Sequence, residues 1–300
     1  MVSRGSGVFV HEQAIVEDGA VLADDVYVGP FCIVGRDVSL GEGVRLVSHV
    51  SVTGDTTIGA GTCVFPFGTI GFPPQDLKYA GEDSKVVIGE NNQIRESVTI
   101  HRGTAGGRME TTIGNDNMIM HETHIAHDCI VGDSCVLGAR CAMSGHVEIG
   151  DQAVLGGMVS LHQFCKVGEH SFIGATSAIH RSIVPYGYVF PRPLPYLRGI
   201  NIRALRKRGF HQHVINSLLK AYKMIFEEEG AAEGKPFLER TEHALETFRD
   251  IQEVVRLTDF ILMESREKGS VLRGVLKGSD WEMRSLVAFR TFDDSVGGTE

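Results

Sequence analysis

A chain of 300 residues, 42% of them apolar, fills either one large domain or two smaller ones, and its net charge of −9 excludes general nucleic-acid binding, which needs a basic surface against phosphates. Aromatic residues make up 7% and there is a single Trp, which suits a narrow interior of aliphatic side chains. The N-terminus lacks the apolar core of an export signal and no run approaches the ~18 apolar residues of a membrane span, so the expectation is a soluble, cytoplasmic protein with no stable membrane insertion.

From Val16 onward an aliphatic residue recurs every sixth position: Leu22, Val28, Val34, Leu40, Leu46, Val52, Ile58, Val64 and Ile70. The pattern returns at Ile88, Ile94 and Ile100. It then runs unbroken through Ile113, Ile119, Ile125, Val131, Leu137, Met143, Ile149, Leu155, Leu161, Val167, Ile173 and Ile179. A period of six fits neither a helix nor an alternating strand. It fits a solenoid of short strands and turns, three hexads to a triangular coil, with the aliphatic residue inward and coils ~4.8 Å apart. Four residues after the aliphatic the residue is usually small or β-branched, as at Val26, Val38, Val44 and Val50. Cys32, Cys129, Cys135, Cys141 and Cys165 share that inward track, and Cys63 lies off it. Buried thiols are expected rather than disulfides or metal ligands.

The predicted architecture is therefore an all-β parallel β-helix over residues 8–190, with loop excursions near 71–86 and 101–110. Long loops on a solenoid are usually functional. The period stops at Pro185. A smaller α-helical domain is predicted over 191–268, with one helix ending on Arg206-Lys207-Arg208-Gly209 and a second striped by Val214, Leu218, Ala221, Tyr222 and Ile225. Further helices face inward with Phe248, Ile251, Val255 and Leu257. Residues 269–300 are expected to form a partly disordered tail.

Histidines concentrate between 121 and 170. With coils of 18 residues, His127, Gly145 and Gln163 form one stacked column, His146 and His162 flank it, and His121 and His124 share the coil of His127. Three readings stand: solvent-facing decoration, a zinc site built on His121-x-x-His124-x-x-His127, and acyl transfer. Acyl transfer needs a base for the attacking hydroxyl and a donor for the oxyanion; an imidazole and an unobstructed glycine N–H supply both. Asp128 is a candidate to orient the His127 ring, although adjacent strand residues normally point to opposite faces.

Several segments resemble the UDP-N-acetylglucosamine 3-O-acyltransferase family of lipid A biosynthesis: Gln75-Asp76-Leu77-Lys78-Tyr79-Ala80-Gly81-Glu82, Ile94 to Thr104, His124-Ile125-Ala126-His127-Asp128-Cys129, Gly145-His146-Val147, Gly156-Gly157-Met158, His162-Gln163-Phe164 and Arg208-Gly209-Phe210. The likeness spans about residues 8–265. It implies a left-handed coil and a homotrimer with active sites between subunits. It implies transfer of a (3-hydroxy)acyl chain from the phosphopantetheine of acyl carrier protein to the 3-hydroxyl of UDP-GlcNAc, with no metal and no cofactor of its own. It assigns His127 as general base, Gly145 N–H as oxyanion donor and Asp128 as orienting partner. Asp76, Lys78, His124, His146, His162 and Gln163 would contact substrate, and Asn201 and Arg208 the nucleotide. Ala175 matches a position that measures acyl length and is often Gly, so a modestly shorter chain is expected.

The chain departs from the family at Phe190–Pro195, where a polar segment is common, and at Arg203, where an acidic residue is common. N-acylation of a UDP-3-amino-sugar would use the same residues, and a carbonic-anhydrase-like zinc solenoid is the reading from another class. Between Arg192 and Arg208 there are six Lys or Arg and no acidic residue. Such a patch suits an acidic carrier protein or a solvated helix end.

Overall fold

Most six-residue repeats fold as a two-residue strand followed by a turn, as in Met118–Ile119, His124–Ile125 and Ile130–Val131. The computed structural model describes residues 1–191, 195–227 and 234–266. The turn bends on one left-handed residue three positions after the aliphatic: Asp128, Ser134, Arg140, His146, Gln152, Met158, Phe164, His170 and Thr176 all have φ between 54° and 67°. None is glycine, and each carries a steric penalty of about 1–2 kcal/mol. The opposing term is inter-coil hydrogen bonding: Gln152 N–H donates to Asp133 O at 2.7 Å, Met158 N–H to Ala139 O at 2.8 Å and His170 N–H to Asp151 O at 2.8 Å.

The strands stack into three faces of a triangular prism. Face one runs from Ser3–Arg4 to Lys166–Val167 in nine strands, and face three from Ile15–Val16 to Ala178–Ile179 in nine. Face two starts at Phe9–Val10 and has eleven, closing with Gly187–Phe190 and Tyr196–Ile200. All pairings are parallel except that last one. Coiling begins at Ser3, earlier than residue 8, because these first strands already pair with Val21–Leu22. In register, Ile125 lies on Met143 and Met143 on Leu161, so residues 18 apart are stacked. The aliphatic column is sealed: Ile119, Ile125, Leu137, Met143, Leu155 and Leu161 are at most 1% exposed.

Two coils are longer. Ile58 pairs with Ile88 and Ile70 with Ile100, an offset of 30, because the chain leaves after Thr69–Phe72 and re-enters at Lys85–Ile88. Ile88 then pairs with Ile113, an offset of 25, around a loop between His101 and Glu110. Both excursions are thus slightly shorter than 71–86 and 101–110. Cys32, Cys129, Cys135, Cys141 and Cys165 are buried and unpaired, and Cys63 is half-buried on the outside of face two.

The helices are α1 (Ile202–Lys207), α2 (Gln212–Tyr222), α3 (Phe237–Thr247) and α4 (Gln252–Arg266). The first ends at Arg208 with Gly209 at φ 80°. The second continues as a π-turn over Lys223–Glu227, and its buried stripe is Ile215, Leu218, Ala221, Tyr222 and Ile225. In α4 the buried stripe is Val254, Leu257 and Ile261 rather than Val255. The helix packs on α3 and α2, and near its end Glu264 reaches the last coils, accepting a hydrogen bond from Ser182 Oγ at 2.5 Å and pairing with Lys166 at 3.2 Å. Among the described residues no helix is long and apolar enough to cross a membrane. The expected tail of 269–300 lies outside the described residues.

Candidate active site

His127 sits in the turn after His124–Ile125, at the corner between faces three and one. Its ring presses on the next coil: a Cβ built on Gly145 would stand 2.4 Å from Cε1 and 2.5 Å from Nε2 of His127. Only glycine leaves room for the imidazole there. The Gly145 N–H donates no hydrogen bond among the described residues, whereas its carbonyl accepts from Phe164 N–H at 3.2 Å. An imidazole and an uncommitted backbone donor therefore share one spot.

Asp128 Oδ2 lies 2.8 Å from His127 Nδ1. Sequence neighbours converge here because neither is in a strand: Asp128 is the left-handed residue of its turn, φ 59°, which swings its carboxylate back beside His127. The carboxylate is fully buried. Burial favours its neutral form, but hydrogen bonds from Thr104 Oγ1, His127 and the N–H groups of Thr104 and Arg108 outweigh burial and hold it below the usual carboxylate range. Thr104 and Arg108, from the second excursion, were not singled out as contributors to the site from sequence.

The His127 column opens into a cleft of about 590 Å³ lined by Gln75, Asp76, Leu77, Lys78, His101, His124, Ala126, His127, Ser144, Gly145 and Gln163, among others. The first excursion thus brings Asp76 and Lys78 over the His127 coil, with Asp76 Oδ1 accepting from Lys78 N–H at 2.9 Å. His124 Nδ1 is 2.7 Å from Thr99 Oγ1. Burial, then the neighbouring His127, lowers its basicity. His146 meets the His127 ring edge-on at 5.1 Å and stacks on Phe164 at 4.6 Å. Burial lowers its pKa despite the nearby Asp128. His162 is exposed beside His180, its Nδ1 3.1 Å from Gln163 O. His101 was missed as a candidate. It is 7% exposed, touches His124 edge-on at 4.9 Å and is held down to about 4 by burial first, then by His124 and His127. In the sequence it is marked by its place at the root of an excursion and within the Ile94–Thr104 segment.

Asn201 and Arg208 do not join this cleft. They line a groove of about 1000 Å³ over face two, floored by Val136, Val154, Phe172 and Tyr188 and rimmed by Arg198, Arg203 and Lys207. Arg208 is held at the corner between faces one and two, its guanidinium donating to Gln152 O at 2.7 Å and meeting His170 Nδ1 at 2.9 Å. Asn201 Nδ2 donates to His170 O at 3.1 Å. Ala175 is exposed at the third corner, between faces two and three, packed on Gly156. Of the basic segment, Arg192 lies outside the described residues.

The zinc motif is not assembled, since His121 is exposed and His124 engages Thr99. The group whose ligand atoms do lie within 4.8 Å of one another is His127, Asp128 and His146. There the carboxylate already accepts from Thr104, Arg108 and His127, which favours an orienting role over metal ligation.

Fold and site define an acyltransferase of the hexapeptide-repeat, left-handed β-helix class. A model described as bacterial transferase hexapeptide (six repeats) matches residues 110–145, and one described as UDP N-acetylglucosamine O-acyltransferase, domain 2, matches 183–271. The acyl-[acyl-carrier-protein]–UDP-N-acetylglucosamine O-acyltransferase of Thermodesulfovibrio yellowstonii is 42% identical over 87% of this chain and 98% of its own length. That of Rickettsia canadensis is 47% identical over 85% and 95%. The solved structure of the UDP-N-acetylglucosamine acyltransferase from Campylobacter jejuni superposes with a TM-score of 0.81 at 35% identity, covering 90% of this chain and all of that one. The chain belongs to the UDP-N-acetylglucosamine O-acyltransferase family.

Proposed function

We propose that this enzyme moves a (3-hydroxy)acyl chain from the phosphopantetheine thioester of acyl carrier protein to the 3-hydroxyl of UDP-GlcNAc, the first step of lipid A synthesis. The observation that carries the mechanism is the His127 ring lying on Gly145 with Nδ1 tied to Asp128. Held in the tautomer that carries hydrogen on Nδ1, His127 presents the Nε2 lone pair to the cleft. Nε2 takes the hydroxyl proton as the sugar oxygen bonds to the thioester carbon. The resulting oxyanion accepts from Gly145 N–H. The tetrahedral adduct then expels the thiolate, which leaves with the proton from Nε2, giving the O-acyl sugar nucleotide and the free carrier thiol. No resident metal or cofactor takes part.

Asp76, Lys78, His124, His146, His162 and Gln163 would position sugar, diphosphate and donor arm around the cleft. Asn201 and Arg208 would hold the nucleotide, and Ala175 would limit the acyl tail. On a single chain these three groups occupy three different corners of the prism. A homotrimer brings one subunit's corner against another's, so one active site would draw on two chains. The basic rim of Arg198, Arg203 and Lys207 suits an acidic carrier protein.

The test is transfer from acyl carrier protein thioesters of graded length to UDP-GlcNAc or its 3-amino analogue, with products weighed by mass spectrometry. His127→Ala should lower kcat at least about 100-fold without changing assembly. Retained activity would remove the base assignment, and a preference for the amino analogue would replace O- by N-acylation.

A further inference from the structure

The second excursion is a device attached to one carboxylate. Where a hexad would connect two strands, the chain between His101 and Glu110 instead folds over Asp128. Thr104 Oγ1 donates to Oδ2 at 2.6 Å, Thr104 N–H approaches both oxygens at 3.2 Å, and Arg108 N–H donates to Oδ1 at 2.8 Å. Gly107 lies against the carboxylate so closely that a Cβ would stand 2.3 Å from Asp128 Cγ. From the other side, Thr111 Oγ1 accepts from the Asp128 N–H at 2.9 Å. The loop closes on itself through Gly107 N–H to Thr104 O at 3.0 Å. It is fastened to the first excursion by Ala105 N–H on Glu82 Oε1 at 2.9 Å and Ser84 Oγ on Gly103 O at 2.6 Å.

Resting on the His127–Asp128 reading above, the geometry points to Thr104 as a positioning residue of acyl transfer, one that fixes the Asp128 carboxylate against His127 Nδ1. The hydroxyl does two things. It sets the rotation of the carboxylate, so Oδ2 stays on Nδ1 while the ring is charged. It also occupies an Oδ2 lone pair, making that oxygen a poorer base. The Nδ1 proton then stays on the imidazolium instead of passing to Asp128. An imidazolium keeps an acidic Nε2 proton to hand to the departing thiolate, whereas an imidazole that has lost its Nδ1 proton does not. The depressed basicity of Asp128 agrees with this role.

The test is a double-mutant cycle on the full-length enzyme. Thr104→Val keeps the shape and removes the hydroxyl; it should lower kcat about tenfold with KM for UDP-GlcNAc within about twofold, as expected for loss of an outer-shell partner of a working group. Thr104→Ser should stay within about threefold of the parent, and Gly107→Ala should lower kcat like Thr104→Val. In an Asp128→Ala background, Thr104→Val should change kcat less than about twofold, because the group it acts through is gone. Equal losses in both backgrounds would make Thr104 structural and overturn the inference. Unaltered kcat in Thr104→Val, beside a large loss in Asp128→Ala, would overturn the clamp alone. Unaltered kcat in Asp128→Ala would remove the His127–Asp128 reading and the clamp together.

Discussion

Replacing Gly145 by alanine adds one methyl group at the point where the His127 ring rests. The new Cβ would stand 2.4 Å from Cε1 and 2.5 Å from Nε2, against an ordinary carbon–carbon contact of about 3.5–4.0 Å. More than an ångström must be found. The backbone cannot easily yield, because His146 N–H is bonded to His127 O at 3.0 Å and Phe164 N–H to Gly145 O at 3.2 Å. The ring must therefore tilt or slide, which breaks its 2.8 Å contact with Asp128 and carries Nε2 away from the oxyanion position. A displacement of about 1 Å in a catalytic group costs on the order of 100-fold in rate. Gly145→Ala should thus lose about two orders of magnitude in kcat, with little change in melting temperature, since the methyl points into a cleft rather than the core. Initial rates of acyl transfer by mass spectrometry, beside a thermal melt, test this. A kcat within threefold of the parent in a folded Gly145→Ala protein would refute the placement of His127 and Gly145 as a working pair.

Three further outcomes follow from the same geometry. His101 takes up its proton near pH 6.5 in the unfolded chain but only near 4 when folded, so its contribution to stability is present above pH 6.5 and falls by up to about 3 kcal/mol as pH drops across that window. Urea unfolding of His101→Gln should show a shallower decline between pH 6.5 and 4.5, and parallel curves would contradict it. Burial pushes Cys129, Cys135 and Cys165 up to about 12, so a thiol reagent at pH 8 should modify at most Cys63 in the native protein and all six cysteines after denaturation. If an active site draws on two subunits, co-expressing His127→Ala and Arg208→Ala chains should restore about a quarter of the parental activity, the fraction of interfaces that pair two intact halves. Hybrids no more active than either parent would place both residues in a site of one chain.

The six-residue period and the stacking of His127, Gly145 and Gln163 were legible from the chain itself, because a solenoid turns linear spacing into neighbourhood: with coils of constant length, position in sequence is position in space. The inward cysteines follow from the same periodicity. The helical nature of the C-terminal part was legible from its own apolar stripes, and Leu257 is buried as expected, but Val254 rather than Val255 faces inward, because the helices it packs against set the face. The limits of that arithmetic lie where the period breaks. Nothing in the spacing of Thr104, Gly107 and Arg108 says that they close on Asp128, nor that Gln75–Lys78 folds back over His124, since an excursion's path depends on which donors and acceptors it meets after leaving the coil. Asp128 itself turns toward His127 only because its backbone is left-handed, a property of the corner and not of the residue type. Asn201, Arg208 and Ala175 lie at corners that a single prism keeps apart, so the sequence names them but only tertiary structure shows that one chain does not bring them to His127.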